Sequence, residues 1–220
     1  MPDFNNRTDW EDKLSRQLAR LQQRELTRLI EALGEPPSLD NLHPEFWNEF
    51  STTLRGELIP TLERIFLDGA EQTLGTTSIG VDWALINQAA AQWARSYGYD
   101  LVQDITTNTR TALQEKLPAY FEQGQTIGQL RESLQPLFGP VRAELIATTE
   151  VTRAAVQGEL ETARQISQAG VQMVAIWQTN NDDFVCPICA PLNQKRYGDG
   201  WTVPPPAHPR CRCWISHEFS

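Results

Sequence analysis

Residues 140–178 read PVRAELIATTEVTRAAVQGELETARQISQAGVQMVAIWQ, and a change of period inside this stretch decides the fold. From Pro140 to about Gln168 the pattern is helical, with a proline in the first turn, where a missing N–H costs nothing. Gly170 closes that run. Then Val171, Met173, Ala175 and Trp177 alternate with Gln172, Val174, Ile176 and Gln178, the period of two that marks a strand. Its second face is mixed, so cover on both sides is expected.

Upstream of this stretch everything reads as helix. Thr8-Asp9-Trp10-Glu11 has the form of a capping box. Trp10, Leu14, Leu18, Leu21, Leu26, Leu29, Ile30 and Leu33 then follow as one apolar stripe, stopped by Gly34 and Pro36-Pro37. The stripe predicts a helix packed on its own domain; the competing reading is a helix docked on another chain. Pro44 opens a second helix with Phe46, Phe50, Leu54, Leu58, Leu62, Ile65 and Phe66, which Pro60 should kink or divide. After a turn at 75–80, a long helix runs from Val81 to about Tyr120, with Pro118 at its end or bend. The aromatic residues in these runs read as core. Thr126 caps a short helix that Gly139 ends near Phe138.

Downstream lies a cysteine cluster. All four cysteines fall between Cys186 and Cys213: Cys186-Pro-Ile-Cys189, then His208-Pro-Arg-Cys211-Arg-Cys213. Cys-x-x-Cys places two thiolates on one turn, and the 21 intervening residues, with Gly198, Gly200 and Pro204-Pro205-Pro206, can return the chain. In a reducing compartment such a cluster favours metal over disulfides. Structural Zn²⁺ takes four N or S ligands. The preferred set is Cys186, Cys189, Cys211 and Cys213, with His208 as the alternative fourth ligand. Cys211 and Cys213 can both ligate only if the backbone turns between them, because alternate side chains of an extended segment face opposite sides. Arg210, Arg212 and Lys195 would offset thiolate charge; the other reading of these residues is a DNA contact. A redox pair is disfavoured by the strand, loop and proline-rich return around it. Asp182 and Asp183 before the first cysteine read as a turn or cap.

The fold class is therefore mostly α with a small C-terminal α+β zinc-binding module: long helices, a short strand, a Pro/Gly-rich loop and a terminal strand. Three segments are expected: an N-terminal amphipathic helix and linker at 1–40, a helical body at 41–139, and a C-terminal module at 140–220.

Composition narrows the function classes. The chain has 220 residues, 40% hydrophobic and 21% charged, with a net charge of −9. Residues 186–220 carry four basic and two acidic residues and the remainder 15 and 26, so the acidity lies outside the cysteine segment. An acidic body is a poor surface for phosphate-driven DNA binding. No signal peptide or membrane span is legible, which predicts folding in a cytoplasm. Neither a phosphate-binding glycine loop nor a Ser/His/Asp set can be read. Glu144 and Glu150, six apart on one helix, fall on different faces. Arg142 with Glu144 and Glu150 with Arg153 read as ion pairs at helical spacing, the alternative being a buried polar cluster beside the cysteine loop.

The order of these motifs resembles the Mu F-like head morphogenesis (minor head) family of tailed bacteriophages. The resemblance rests on Arg142-Ala-Glu-Leu-Ile-Ala-Thr-Thr-Glu150 and Arg153-Ala154. It continues through Trp177-Gln-Thr-Asn-Asn-Asp182-Asp183, Cys186-Pro-Ile-Cys189 and Pro205-Pro206-Ala-His208-Pro-Arg-Cys211-Arg-Cys213. It is firm over 140–216, loose over 81–139, and absent over 1–80. Thr148 stands where the family usually has arginine, and Asp183 matches the aspartate before the first cysteine. The resemblance implies a non-enzymatic structural protein of the phage head, made in the host cytoplasm and carried into the prohead. It implies the portal protein and major capsid protein as partners, and the virion head interior or portal vertex as location. The chain runs seven residues past Cys213, which favours the plain structural member over relatives with an appended toxin domain. The alternatives are a DNA-binding zinc module at the portal and, behind it, a zinc-dependent enzyme.

Overall fold

The structure, a computed structural model, describes residues 3–180 and 185–219. It is mostly helical: α1 (Arg7–Leu33), α2 (Pro44–Leu74), α3 (Trp83–Glu122), α4 (Ile127–Phe138) and α5 (Pro140–Gln168) precede strands β1 (Met173–Gln178) and β2 (Trp214–Phe219). Among the described residues no helix is long and apolar enough to cross a membrane.

Helix α5 is the hub and touches all four other helices and both strands. Its sequence explains why. Ala143, Ala147, Ala154, Ala155, Gly158 and Ala163 keep its surface low, so neighbours approach on several sides, and it is buried almost all round. The stripe of α1 closes against α5 and α4, with Leu14, Leu18, Leu21, Leu26, Leu29 and Leu33 in one core with Leu54, Leu58, Leu62 and Ile65 of α2. This settles the use of the stripe: it is buried on the chain's own helices. The core continues across the Gly34–Asn41 connection, so α1 shares it with α2 through α5.

The ends of the helices follow local chemistry. The Thr126 hydroxyl accepts from the Gln129 amide while the Gln129 side chain accepts from the Thr126 amide, a full capping box. One expectation changes and two narrow. The box expected at Thr8–Glu11 does not form: α1 begins at Arg7 and Asn6 makes no side-chain cap, because Glu11 is committed elsewhere. Pro60 does not divide α2, which runs through it to Leu74. Pro118 does not end α3, which continues to Glu122. Both prolines are single lost bonds inside long, well-packed helices, and neighbouring turns carry them.

β1 and β2 pair antiparallel in the register Met173↔Phe219 through Gln178↔Trp214. The returning loop covers the other edge of β1. Trp177 N–H donates to the Lys195 carbonyl at 2.9 Å, and the amides of Gln194 and Tyr197 donate to Trp177 and Ala175 at 2.8 Å each. β1 is thus central and buried at Ala175, Ile176 and Trp177, as its mixed faces predict. Val156 of α5, Trp177, Trp201 and Ile215 form a second, smaller core with Cys189, Cys211 and Cys213.

Candidate metal centre

The cysteine loop is built on α5. Thr149 Oγ1 accepts from the Arg210 amide at 3.0 Å, and Thr152 Oγ1 donates to the Cys211 carbonyl at 2.9 Å. Two threonines one turn apart thereby grip the second ligand run on either side of the Arg210–Cys211 peptide. Arg210 has φ of 62°, and this left-handed residue is the bend before Cys211-Arg-Cys213. The first run is a tight turn, with the amides of Cys189 and Ala190 bonded back to the Cys186 carbonyl at 3.1 and 3.0 Å. Trp201 packs edge-on against Trp177 with centroids 5.5 Å apart and donates to the Lys195 carbonyl, which pins the loop between the runs.

All five sequence-predicted donors converge. Cys186, Cys189 and His208 form one trio and Cys189, Cys211 and Cys213 another, the donor atoms of each lying within 4.8 Å of one another. The donor atoms of Cys211 and Cys213 both lie within 4.8 Å of that of Cys189. Cys189 Sγ lies 3.8 Å from Cys211 Sγ and 3.4 Å from His208 Nε2, and Cys186 Sγ lies 2.9 Å from the same nitrogen. With metal–sulfur bonds of about 2.3 Å, the sulfur–sulfur edge of a tetrahedron is ~3.8 Å. His208 Nδ1 lies 2.8 Å from the Pro209 carbonyl, which can only accept, so the proton sits on Nδ1 and the Nε2 lone pair faces the thiols. All four cysteines are free thiols.

The electrostatics describe a cluster short of positive charge. Burial, with Cys211 beside it, pushes the Cys189 thiol up to about 12. The hydrogen bond to Cys211 drives Cys213 up as well, and the same bond draws Cys211 down to about 5. A divalent cation among these sulfurs would favour their thiolate forms. The donor chemistry is therefore compatible with a metal site.

Three of the four basic residues of the loop face carboxylates. Arg212 meets Glu11 of α1 at 2.5 Å, Arg210 lies 4.0 Å from Glu144, and Arg196 meets Glu218 at 2.6 Å. The carboxylates Glu144 and Glu150 do not converge. Glu144 borders the loop, whereas Glu150 is buried in the helix packing beside Arg153, 3.4 Å away, with Tyr97 of α3. The expected Glu150–Arg153 pair is present. Arg142 is not paired with Glu144: its guanidinium caps the Leu137 carbonyl at the α4–α5 junction. Asp182 and Asp183 lie outside the described residues.

Sequence reasoning missed the contribution of α1. Arg7 is buried, chelated by Asp3 at 2.7–2.9 Å, and donates to Thr152 Oγ1 at 2.5 Å. The only signal was Glu11, read as a cap because of its spacing from Thr8. Nearby, Glu159 of α5 is 1% exposed, and neither carboxylate oxygen has a hydrogen-bond partner among the described residues. Burial pushes it up to about 8, with Arg7 opposing and Asp3 adding. The folded state then holds an extra proton between about pH 4.5 and 8, so this residue costs stability as pH rises through that window. Glu159→Gln is expected to gain on the order of 2–4 kcal/mol over wild type at pH 8.5 and close to nothing at pH 4, by urea denaturation. An equal difference at both pH values would refute the buried protonated acid.

Residues 111–216 match the family model described as phage Mu protein F like protein. The match takes in the last part of α3, α4, α5, β1, the whole cysteine loop and the first half of β2. No curated protein and no solved structure matches the chain significantly. Residues 111–216, just under half of the chain, are thus similar to the phage Mu protein F like family.

Proposed function

We propose that the chain is a structural minor head protein of a tailed bacteriophage, acting in prohead assembly beside the portal protein and the major capsid protein, in the head interior or at the portal vertex. The observation that carries this reading is the family match, which spans the complete donor cluster and the helix that holds it. The cluster is read as structural Zn²⁺ bound by Cys186, Cys189, His208 and Cys211. His208 is chosen as fourth donor because its Nδ1–H is anchored and its Nε2 is aimed at two thiols. When bound, the ion cross-links two ends of a loop that a two-stranded sheet alone holds weakly. A non-catalytic role is supported by a donor set able to fill four positions without a carboxylate, and by the separation of Glu144 from Glu150.

The DNA-binding alternative is less favoured. Arg196, Arg210 and Arg212 each face a carboxylate, which reduces the positive charge that this loop offers to phosphates. Quantitative mass spectrometry of purified proheads and DNA-filled heads tests the function. The protein is expected in both, at low stoichiometry to the coat protein. Its absence from both overturns the reading.

A further inference from the structure

We propose that the first two turns of α1 are a clamp that positions the second ligand run, so that metal retention depends on residues far from the cluster in sequence. This rests on the zinc reading above. Two polar links carry it. In the first, Asp3 fixes Arg7, Arg7 donates to Thr152, and Thr152 donates to the carbonyl of Cys211, a ligand. The Thr152 hydroxyl thus accepts on one side and donates on the other, which orients its proton toward Cys211. In the second, Glu11, 7% exposed, receives the Arg212 guanidinium from between Cys211 and Cys213.

Both links originate on one face of α1, since Arg7 and Glu11 are four apart and their charged ends lie 4.0 Å from each other. They meet the loop at the Cys211 carbonyl and at the side chain of the next residue, Arg212. Arg7, Glu11 and Thr152 are all buried, while Asp3 and Arg212 at the outer ends of the links are partly exposed, so it is the buried partner of each link that would be costly to leave unpaired. A loop whose ligand is held by its own peptide group keeps that sulfur in place when one metal bond opens. The clamp therefore acts on the rate of zinc escape. Residues 3–11, which supply the clamp, lie outside the matched segment 111–216.

The test is zinc release from the full-length zinc-loaded protein into excess chromophoric chelator, at a temperature where every variant is folded. Thr152→Val and Glu11→Gln are expected to release zinc about tenfold faster than wild type. Leu18→Ala, which hollows the α1 packing without touching either link, is expected to lower Tm and leave the release rate unchanged. Reciprocally, zinc removal should raise amide exchange in residues 7–12 ahead of the rest of α1. Release rates equal to wild type in both link variants would overturn the clamp, as would equal acceleration by Leu18→Ala. A wild-type protein that holds no zinc would overturn the metal reading and the clamp with it.

Discussion

Cys186→Ser combined with Cys189→Ser is expected to abolish stoichiometric zinc and to lower Tm by about 10 °C. The size follows from what the ion would hold. β1 and β2 form a two-stranded sheet, marginal alone, and the core beneath it is small: Val156, Trp177, Trp201 and Ile215 with three of the cysteines. Releasing the loop from Cys186 to Cys213 would loosen that core while α1 to α5 keep their own. A loss of about 3–5 kcal/mol, at ~2–4 °C per kcal/mol for a chain of this size, gives the expected shift. Single variants resolve the fourth donor. His208→Ala is expected to lose most of the zinc affinity, whereas Cys213→Ser should retain stoichiometric metal. The reverse result would assign four cysteines. Metal content and Tm untouched in the double variant would mean that the cluster is not a metal site. Chelation of the wild type should reproduce the double variant's melting curve and leave the double variant itself unchanged.

The parts of this architecture legible in sequence are those set by local period. The α5 run and the switch to β1 were readable because apolar spacing changes from helical to alternating within residues 168–173. The Thr126 cap was readable because its partner, Gln129, is three residues away. The five donors were readable as a set because their spacing is short within each run. What stayed hidden depends on long-range approach. Glu11 looked like a cap, since sequence shows its distance from Thr8 and not from Arg212, 201 positions on. Pro60 and Pro118 carry a strong local penalty, but the packing on either side outweighs it. Arg142 and Glu144 stand close in sequence and serve different neighbours, the Leu137 carbonyl and the Arg210 side. Gly158, whose neighbours in sequence give no sign of its use, is the position where two backbones meet.

That meeting point sets the second large effect. Gly158→Ala is expected to destabilise the protein by about 3 kcal/mol or more, where intrinsic propensity alone would have it stabilise the helix by up to ~1 kcal/mol. A Cβ on Gly158 would land on the Phe66 carbonyl oxygen of α2, with the Ala70 amide 2.9 Å away. The crossing is reciprocal: a Cβ on Gly69 would land on the Ala155 carbonyl of α5. The obstructing atoms are helix backbone on both sides, so no side-chain rotation relieves the overlap and the helices must part. Parting them opens the packing around Phe66, Ala70, Thr73, Ala155 and Thr162, all buried. Gly56→Ala is the internal control. It sits in the same α2 with nothing within 4 Å of its Cβ, and it should stabilise by up to ~1 kcal/mol. Opposite signs at the two glycines, read by urea denaturation, would establish that α2 and α5 touch backbone to backbone. Because α5 also carries Thr149 and Thr152, Gly158→Ala should release zinc faster than Gly56→Ala does. A Gly158→Ala variant as stable as Gly56→Ala would place the two helices further apart than this packing allows.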